Sequence, residues 1–263
     1  MQSGRRLAEE ESVGRLMSWG ALEVPDFGPR EVRVFVPGGD IPVRQRPVLY
    51  LFDGQNVFGD EGSFAGGWWA HTAVERLRRY RGVSPPIVVG IANGGVLRMD
   101  ELSPWPLPGG GGGRADAFLD WLVETLVPRV QGELGIGKGP VHAVVGGSSL
   151  GGLAALYAHY RHPTVFGGAL CMSPSLFAGG GALFREVARR PRPMFSRIYL
   201  DCGLREGRGQ MAKQAESMAS SLVAKGYPPE QLRWRLDRRG SHNERSWRRR
   251  LPGALRFMFR QGR

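Results

Sequence analysis

Ser149 lies in Gly147-Ser-Ser-Leu-Gly151, a G-x-S-x-G pattern. In a chain with 40 glycines such a match is weak by itself. Its surroundings strengthen it. The apolar run Val141 to Val145 leads directly into the motif, and a stretch with helical spacing, Leu150, Leu153, Ala154 and Tyr157, leads out. Small residues on both sides let a serine occupy a strained turn at the carboxyl end of a strand, with its hydroxyl exposed. The helix behind it points its first amides at any oxyanion formed there. The chemistry this allows is nucleophilic attack by Ser149 on a carbonyl carbon.

A neutral serine needs a base, and the base needs a carboxylate to hold it; in a strand-turn-helix nucleophile the chain order is serine, acid, histidine. His71 and His142 precede Ser149, while His159 and His162 sit on or at the end of the helix that leaves it, too near to fold back. That leaves His242, in the polar turn Arg238-Arg-Gly-Ser-His242-Asn-Glu244 between the last strand and the last helix. Between serine and histidine the acids are Glu186, Asp201, Glu206, Glu216, Glu230 and Asp237. Catalytic groups of open α/β sheets gather beyond the carboxyl ends of strands, which narrows the choice to Asp201, still in the run Ile198 to Cys202, and Glu206, on its exit loop. Loop geometry favours Glu206 and leaves Asp201 as the alternative. For the oxyanion, the amide of Leu150 follows the nucleophile, and Gln55 in Asp53-Gly-Gln-Asn56 offers a second amide after an earlier strand.

These residues need a scaffold that brings strand ends together. Short apolar runs supply it: Val32 to Val36, Val48 to Phe52, Ile87 to Ile91, Val141 to Val145, Gly168 to Met172, Ile198 to Cys202 and Leu232 to Leu236. Helical spacing falls between them, over Trp68 to Tyr80, Ala115 to Val130, Leu150 to Tyr160, Met211 to Lys225 and Asn243 to Phe259. The alternation predicts a mostly parallel sheet with helices on both faces, and the segments around Glu23 and Val34 an antiparallel edge. The five glycines Gly109 to Gly113 predict a flexible loop over the sheet with no ligand role. Gly132-Glu-Leu-Gly-Ile-Gly-Lys-Gly139 approaches a phosphate-binding loop, but it precedes a strand and lacks the closing Ser or Thr, so it is rejected.

Composition narrows the function classes. With 263 residues and 41% hydrophobic residues, one domain over 1–263 is expected, residues 1–20 forming a loosely ordered extension. There is no apolar window of ~18 residues for a membrane span and no apolar stretch behind the charged start, so the sequence reads as cytoplasmic, with no membrane partner. Cys171 and Cys202 sit in apolar runs and form no disulfide framework, and the five histidines show no zinc spacing. The formal net charge of +12 raises a nucleic-acid role. The arginines are dispersed, and no binding motif accompanies them. In the last helix, Trp247-Arg-Arg-Arg250 reads as solvated arginines beside a core-facing stripe of Leu251, Leu255, Phe257 and Phe259.

The chain resembles the esterase family of the α/β-hydrolase superfamily that holds enterochelin esterases, feruloyl esterases, S-formylglutathione hydrolases and mycolyltransferase antigens. The matching segments are Val48 to Phe58, Val88 to Asn93, Arg98 to Trp105, Gly146 to Gly152, Ser173-Pro-Ser175, Ile198 to Gly203 with Glu206, and Gly240 to Trp247, in family order. The resemblance implies an α/β-hydrolase fold. It implies Ser149, Glu206 and His242 as the catalytic set and Gln55 and Leu150 as the oxyanion amides. It also puts Trp69, Arg98 and Glu101 near a substrate pocket. The expected activity is hydrolysis of a carboxylic ester through an acyl-serine, with a small-molecule ester as partner, no metal or organic cofactor, and a homo-oligomer compatible with the sequence. Acyl transfer to another alcohol uses the same groups. A hydrolase scaffold turned to nucleic-acid binding is the rival from a different class, distinguished by salt-dependent binding without turnover.

Overall fold

The structure is a computed structural model that describes residues 14–63 and 65–261. Eight strands form one sheet: β1 (Arg15–Val24), β2 (Gly28–Val36), β3 (Val48–Phe52), β4 (Ile87–Ile91), β5 (Ala143–Ser148), β6 (Gly168–Met172), β7 (Arg197–Gly203) and β8 (Leu232–Asp237). Their order is β1-β2-β4-β3-β5-β6-β7-β8. The β1/β2 and β2/β4 pairs are antiparallel and every other pair is parallel, so the expected antiparallel edge is present.

The continuous apolar runs of β3, β4 and β6 are explained by burial on both faces. Leu49 and Leu51 of β3 pack with α1 (Ala70–Leu77) and, further along, α8 (Glu244–Met258). Tyr50 and Phe52, pointing the opposite way, pack with the layer built from α3 (Ala115–Trp121), α5 (Leu150–Arg161) and their neighbours. Between α1 and α3 lies the short α2 (Arg98–Leu102). The central helix α5 is buried at every position from Gly151 to Tyr160. It therefore carries no polar face, unlike α8, which has one side in solvent.

Several boundaries differ from the sequence expectation. β1 begins at Arg15, so the later part of the expected extension over 1–20 is strand; residues 1–13 lie outside the described residues. β5 starts at Ala143 because Pro140–His142 form a 3-10 turn after Gly139, whose φ is +97°, leaving Val141 exposed. The helix expected over Ala115 to Val130 passes through a π turn, Leu122–Leu126, into α4 (Val127–Leu134). Pro128 lacks an N–H and its ring would collide with the carbonyl four residues back, so a widened turn relieves the clash. A helix that sequence spacing did not suggest, α6 (Ala178–Arg189), follows β6. It begins with Gly179, Gly180 and Gly181 at φ of 59°, 62° and 74°, a left-handed start that masks its helical pattern. The last of the layer is α7 (Gln210–Ala224).

The five-glycine segment is held more closely than a flexible loop. Gly112 N donates to Asp100 Oδ1 at 2.6 Å, Gly113 N to Ser103 O at 2.8 Å, and Leu107 N to Gly111 O at 2.9 Å. All five glycines have positive φ, a region that favours glycine over residues with a Cβ.

Candidate active site

At the end of β5 the chain reverses into α5 through Ser149, whose φ of 57° and ψ of −121° lie outside the regions an L-residue prefers. A conformation of this kind costs on the order of 1–3 kcal/mol and persists only where neighbours hold it. Ser149 N donates to Met172 O at 3.0 Å, and Ser149 O accepts from Ser175 N at 3.0 Å. The motif glycines are needed for space as well: a Cβ on Gly147 would stand 2.7 Å from the carbonyl carbon of Gly151.

The structure brings the three residues expected from sequence into one chain of contacts. Ser149 Oγ lies 3.0 Å from His242 Nε2, and His242 Nδ1 lies 2.8 Å from Glu206 Oε2. An ionised carboxylate only accepts, so Nδ1–H donates to Glu206 and Nε2 is left to accept from the serine hydroxyl. Ser175 Oγ, 3.1 Å from Ser149 Oγ, is a second neighbour of the hydroxyl.

Glu206 is fully buried on the turn after β7. Burial alone would raise its pKa, but hydrogen bonds from His242, Ser173 Oγ and Gly203 N bring it below the usual carboxylate range. The group therefore stays an anion beside the imidazole. Asp201, the alternative, is turned elsewhere. Its carboxylate accepts from Arg250 Nε at 3.0 Å, Tyr199 OH at 3.1 Å and Ser173 N at 3.2 Å, and its burial pushes its pKa up to about 6.

Behind the three lies a buried layer that sequence reasoning missed. Ser173 Oγ donates to Glu206 Oε1 while accepting from Trp247 Nε1 at 2.9 Å and Arg250 Nη2 at 2.7 Å. The Trp247 ring also meets the His242 ring edge to face at 5.0 Å. Arg250 sits between Asp201, Glu206 at 3.5 Å and Asp237 at 3.5 Å. The expectation that the arginines of the last helix are solvated is thus wrong for Arg250, which is 2% exposed. A signal was present: Trp247, Arg250, Leu251 and Ala254 share one helical stripe, so Arg250 falls on the buried face.

The loop after β3 approaches from the other side. Asp53 has φ 58°, and Gly54 is forced by space, since a Cβ there would be 2.4 Å from Ile91 N. A Cβ on Gly151 would lie 3.3 Å from Asp53 Oδ2, so this loop rests on the first turn of α5. Gln55 and Leu150, the expected oxyanion residues, are therefore on adjoining segments.

Of the expected substrate residues, Arg98 grips Asp53 with two bonds, Nε to Oδ1 at 2.6 Å and Nη2 to Oδ2 at 2.8 Å. Asn93 Nδ2 adds a third at 2.6 Å. Arg98 thus fixes the loop that carries Gln55. Glu101 is a correction: it is 0% exposed, its Oε1 is held by Arg30 and its Oε2 accepts from Gly94 N at 3.0 Å. A carboxylate enclosed and paired in this way ties β2 to the loop after β4 and faces no substrate. Trp69 is half-buried at the start of α1, with its Nε1 3.3 Å from Asp60 Oδ1.

His159 and the two cysteines are buried. His159 is enclosed, bonded to Phe166 O and Ser196 Oγ, and burial lowers its pKa to about 4, so it stays neutral. Both thiols are free and buried, and burial raises their pKa values. Among the described residues, no three His, Cys, Asp or Glu side chains converge as metal ligands, and no helix is long and apolar enough to cross a membrane.

Residues 28–258 match the family described as Putative esterase. The chain belongs to that family. This esterase-family chain is 30% identical over 234 residues to the iron(III) enterobactin esterase of Escherichia coli O6:H1 (strain CFT073), covering 83% of this chain and 51% of that protein. It therefore spans about half the length of that relative. In fold it is similar to the siderophore hydrolase EstA from Aspergillus nidulans, with a TM-score of 0.74, 21% identity, and 92% and 93% of the two chains covered. The BES protein from Bacillus cereus gives a TM-score of 0.74 at 21% identity, with 93% and 94% covered. The fold is that of the α/β-hydrolase esterases, as the sequence implied, and family membership supports ester hydrolysis as the general chemistry.

Proposed function

We propose that the protein hydrolyses a carboxylic ester through an acyl intermediate on Ser149. The observation that carries this reading is the unbroken contact from Ser149 Oγ to His242 Nε2 to Glu206 Oε2, at 3.0 and 2.8 Å, with the serine in a strained turn at a helix start. His242 takes the Ser149 proton as Oγ bonds to the ester carbonyl carbon. The amides of Gln55 and Leu150 hold the oxyanion. Collapse breaks the bond to the alkoxy oxygen, and His242 returns the proton to the departing alcohol. Water then enters on the same side, loses a proton to His242, and displaces Ser149, which regains that proton as the acid leaves. The buried Glu206 anion stabilises the imidazolium in both halves and fixes the ring.

Replacing Glu206 by Gln keeps the shape and removes the charge. Steady-state hydrolysis of 4-nitrophenyl acetate should then lose on the order of 10²–10⁴ in kcat with a smaller change in KM. Unaltered kcat in Glu206→Gln would remove this carboxylate from the mechanism.

A further inference from the structure

The turn after β6, Ser173-Pro-Ser175, touches two members of the catalytic set from its two ends. Ser173 Oγ donates to Glu206 Oε1 at 2.8 Å. Ser175 reaches the nucleophile: its N donates to Ser149 O at 3.0 Å, and its Oγ lies 3.1 Å from Ser149 Oγ. The close approach depends on Gly152, where a Cβ would stand 3.1 Å from Met172 O and 3.3 Å from Pro174 Cα. A missing side chain there lets the turn lie on the start of α5. Ser175 O is held in turn by Ala178 N at 3.0 Å, and the residue is 3% exposed. Among the described residues, Ser149 Oγ is the one hydrogen-bond partner of the Ser175 hydroxyl.

The direction of that bond follows from the rest of the set. Glu206 is an anion and only accepts, so His242 carries its proton on Nδ1, and Nε2 accepts from Ser149. The single proton of the Ser149 hydroxyl is used in that bond. Ser149 Oγ therefore accepts from Ser175, and the donations run from Ser175 to Ser149 to His242 to Glu206.

We propose that Ser175 is a further catalytic residue, whose hydroxyl donates to Ser149 Oγ and stabilises the negative charge that gathers there during attack and departure. The inference rests on the hydrolytic reading above and adds a donor on the nucleophile itself, separate from the oxyanion amides. As Oγ bonds to the carbonyl carbon its proton passes to His242 Nε2, and charge on Oγ rises. A neutral hydrogen bond then becomes a charge-assisted one, about twice as strong. In the acyl-enzyme Oγ is an ester oxygen and accepts weakly. When water displaces it, the bond from carbon to Oγ breaks and charge returns to Oγ. Ser175 donates again until His242 supplies the proton, and keeps its own proton throughout.

Labelling with a fluorophosphonate separates rate from structure, because Oγ bonds to phosphorus as fluoride leaves and intact mass counts the sites that react. In Ser175→Ala the labelling rate constant should fall about tenfold, while the final stoichiometry stays near about one adduct per chain. The kcat for 4-nitrophenyl acetate should fall by a similar factor with little change in KM. Ser175→Thr keeps the hydroxyl and should recover most of both rates. An unchanged labelling rate in Ser175→Ala would overturn the proposal. So would a raised rate, which would mean that Ser149 donates to Ser175 in the resting protein. Reduced stoichiometry at the full rate constant would leave the hydroxyl only a structural part, and Ser175→Thr as slow as Ser175→Ala would remove the hydroxyl from the chemistry. Unaltered protein that fails to label strikes the hydrolytic reading itself, whereas labelling indifferent to Ser175 strikes this inference alone.

Discussion

Ser149→Ala should lower kcat for 4-nitrophenyl esters by roughly 10⁴–10⁶, because loss of a triad nucleophile costs about as much as loss of the whole set. At ~1.4 kcal/mol per decade this is a barrier increase of about 6–8 kcal/mol. Folding should scarcely notice. The hydroxyl contacts only His242 and Ser175 among the described residues, and the backbone bonds that hold the turn, to Met172 O and from Ser175 N, remain. Thermal unfolding of the variant should stay within a degree-scale shift equivalent to about 1 kcal/mol. A large loss of rate with an intact melting transition separates chemistry from structure. A variant that kept its rate would exclude acyl-serine catalysis at this position.

Arg250→Met should have the largest effect on stability. Arg250 is the only cation in contact with the buried carboxylates of Asp201 and Glu206 among the described residues, apart from His242 when protonated. Removing one partner of a buried pair leaves an uncompensated charge, at a cost of about 3–5 kcal/mol. For a chain of this size that corresponds to a fall of about 10 °C in Tm. The loss should depend on pH in a definite direction. Asp201 has a folded-state pKa pushed up to about 6 by burial, above the usual unfolded value near ~3.9. The folded protein therefore binds the extra proton between these values, and Asp201 favours folding more as pH falls from about 6 towards 4. Without Arg250 its carboxyl shifts further upward, so it is neutral in the folded variant over more of the range. Once Asp201 is protonated in both proteins, its share of the penalty disappears. The Tm difference between Arg250→Met and the unaltered protein should thus be larger at pH 7.5 than at pH 5. Asp201→Asn added to Arg250→Met should recover part of the loss, as a double-mutant cycle would show. A gap that widened on acidification would place the charge imbalance elsewhere.

Much of the site could be read from the sequence because its signals are local. Gly147 to Gly151 is a strand-turn-helix within a few residues, and His242 follows from chain order, since the other histidines lie on the wrong side of Ser149 or on its own helix. The choice between Asp201 and Glu206 needed space as well as order. Both carboxylates end the same strand, and only the fold shows Asp201 turned toward Arg250 and Glu206 toward His242. Arg250 was hidden among three consecutive arginines, although its spacing from Trp247 and Ala254 marks the buried stripe of α8.

Residues that act by holding others were harder to read. Arg98 and Glu101 stand close together in sequence, yet one fixes Asp53 and the other is enclosed against Arg30, partners 45 and 71 positions away. Long-range ion pairs leave no periodic trace. In α6, three left-handed glycines conceal the helix start, and in the rod from Ala115 to Leu134 the π turn is a response to Pro128 that spacing alone does not reveal.

If Ser149 is an activated nucleophile, it reacts with a fluorophosphonate. Intact-mass measurement followed by peptide mapping should show one adduct, on Ser149, formed rapidly in the unaltered protein and abolished or greatly slowed in His242→Ala. No adduct on the folded protein, or an adduct on Ser175 or another residue in place of Ser149, would remove Ser149 as the nucleophile.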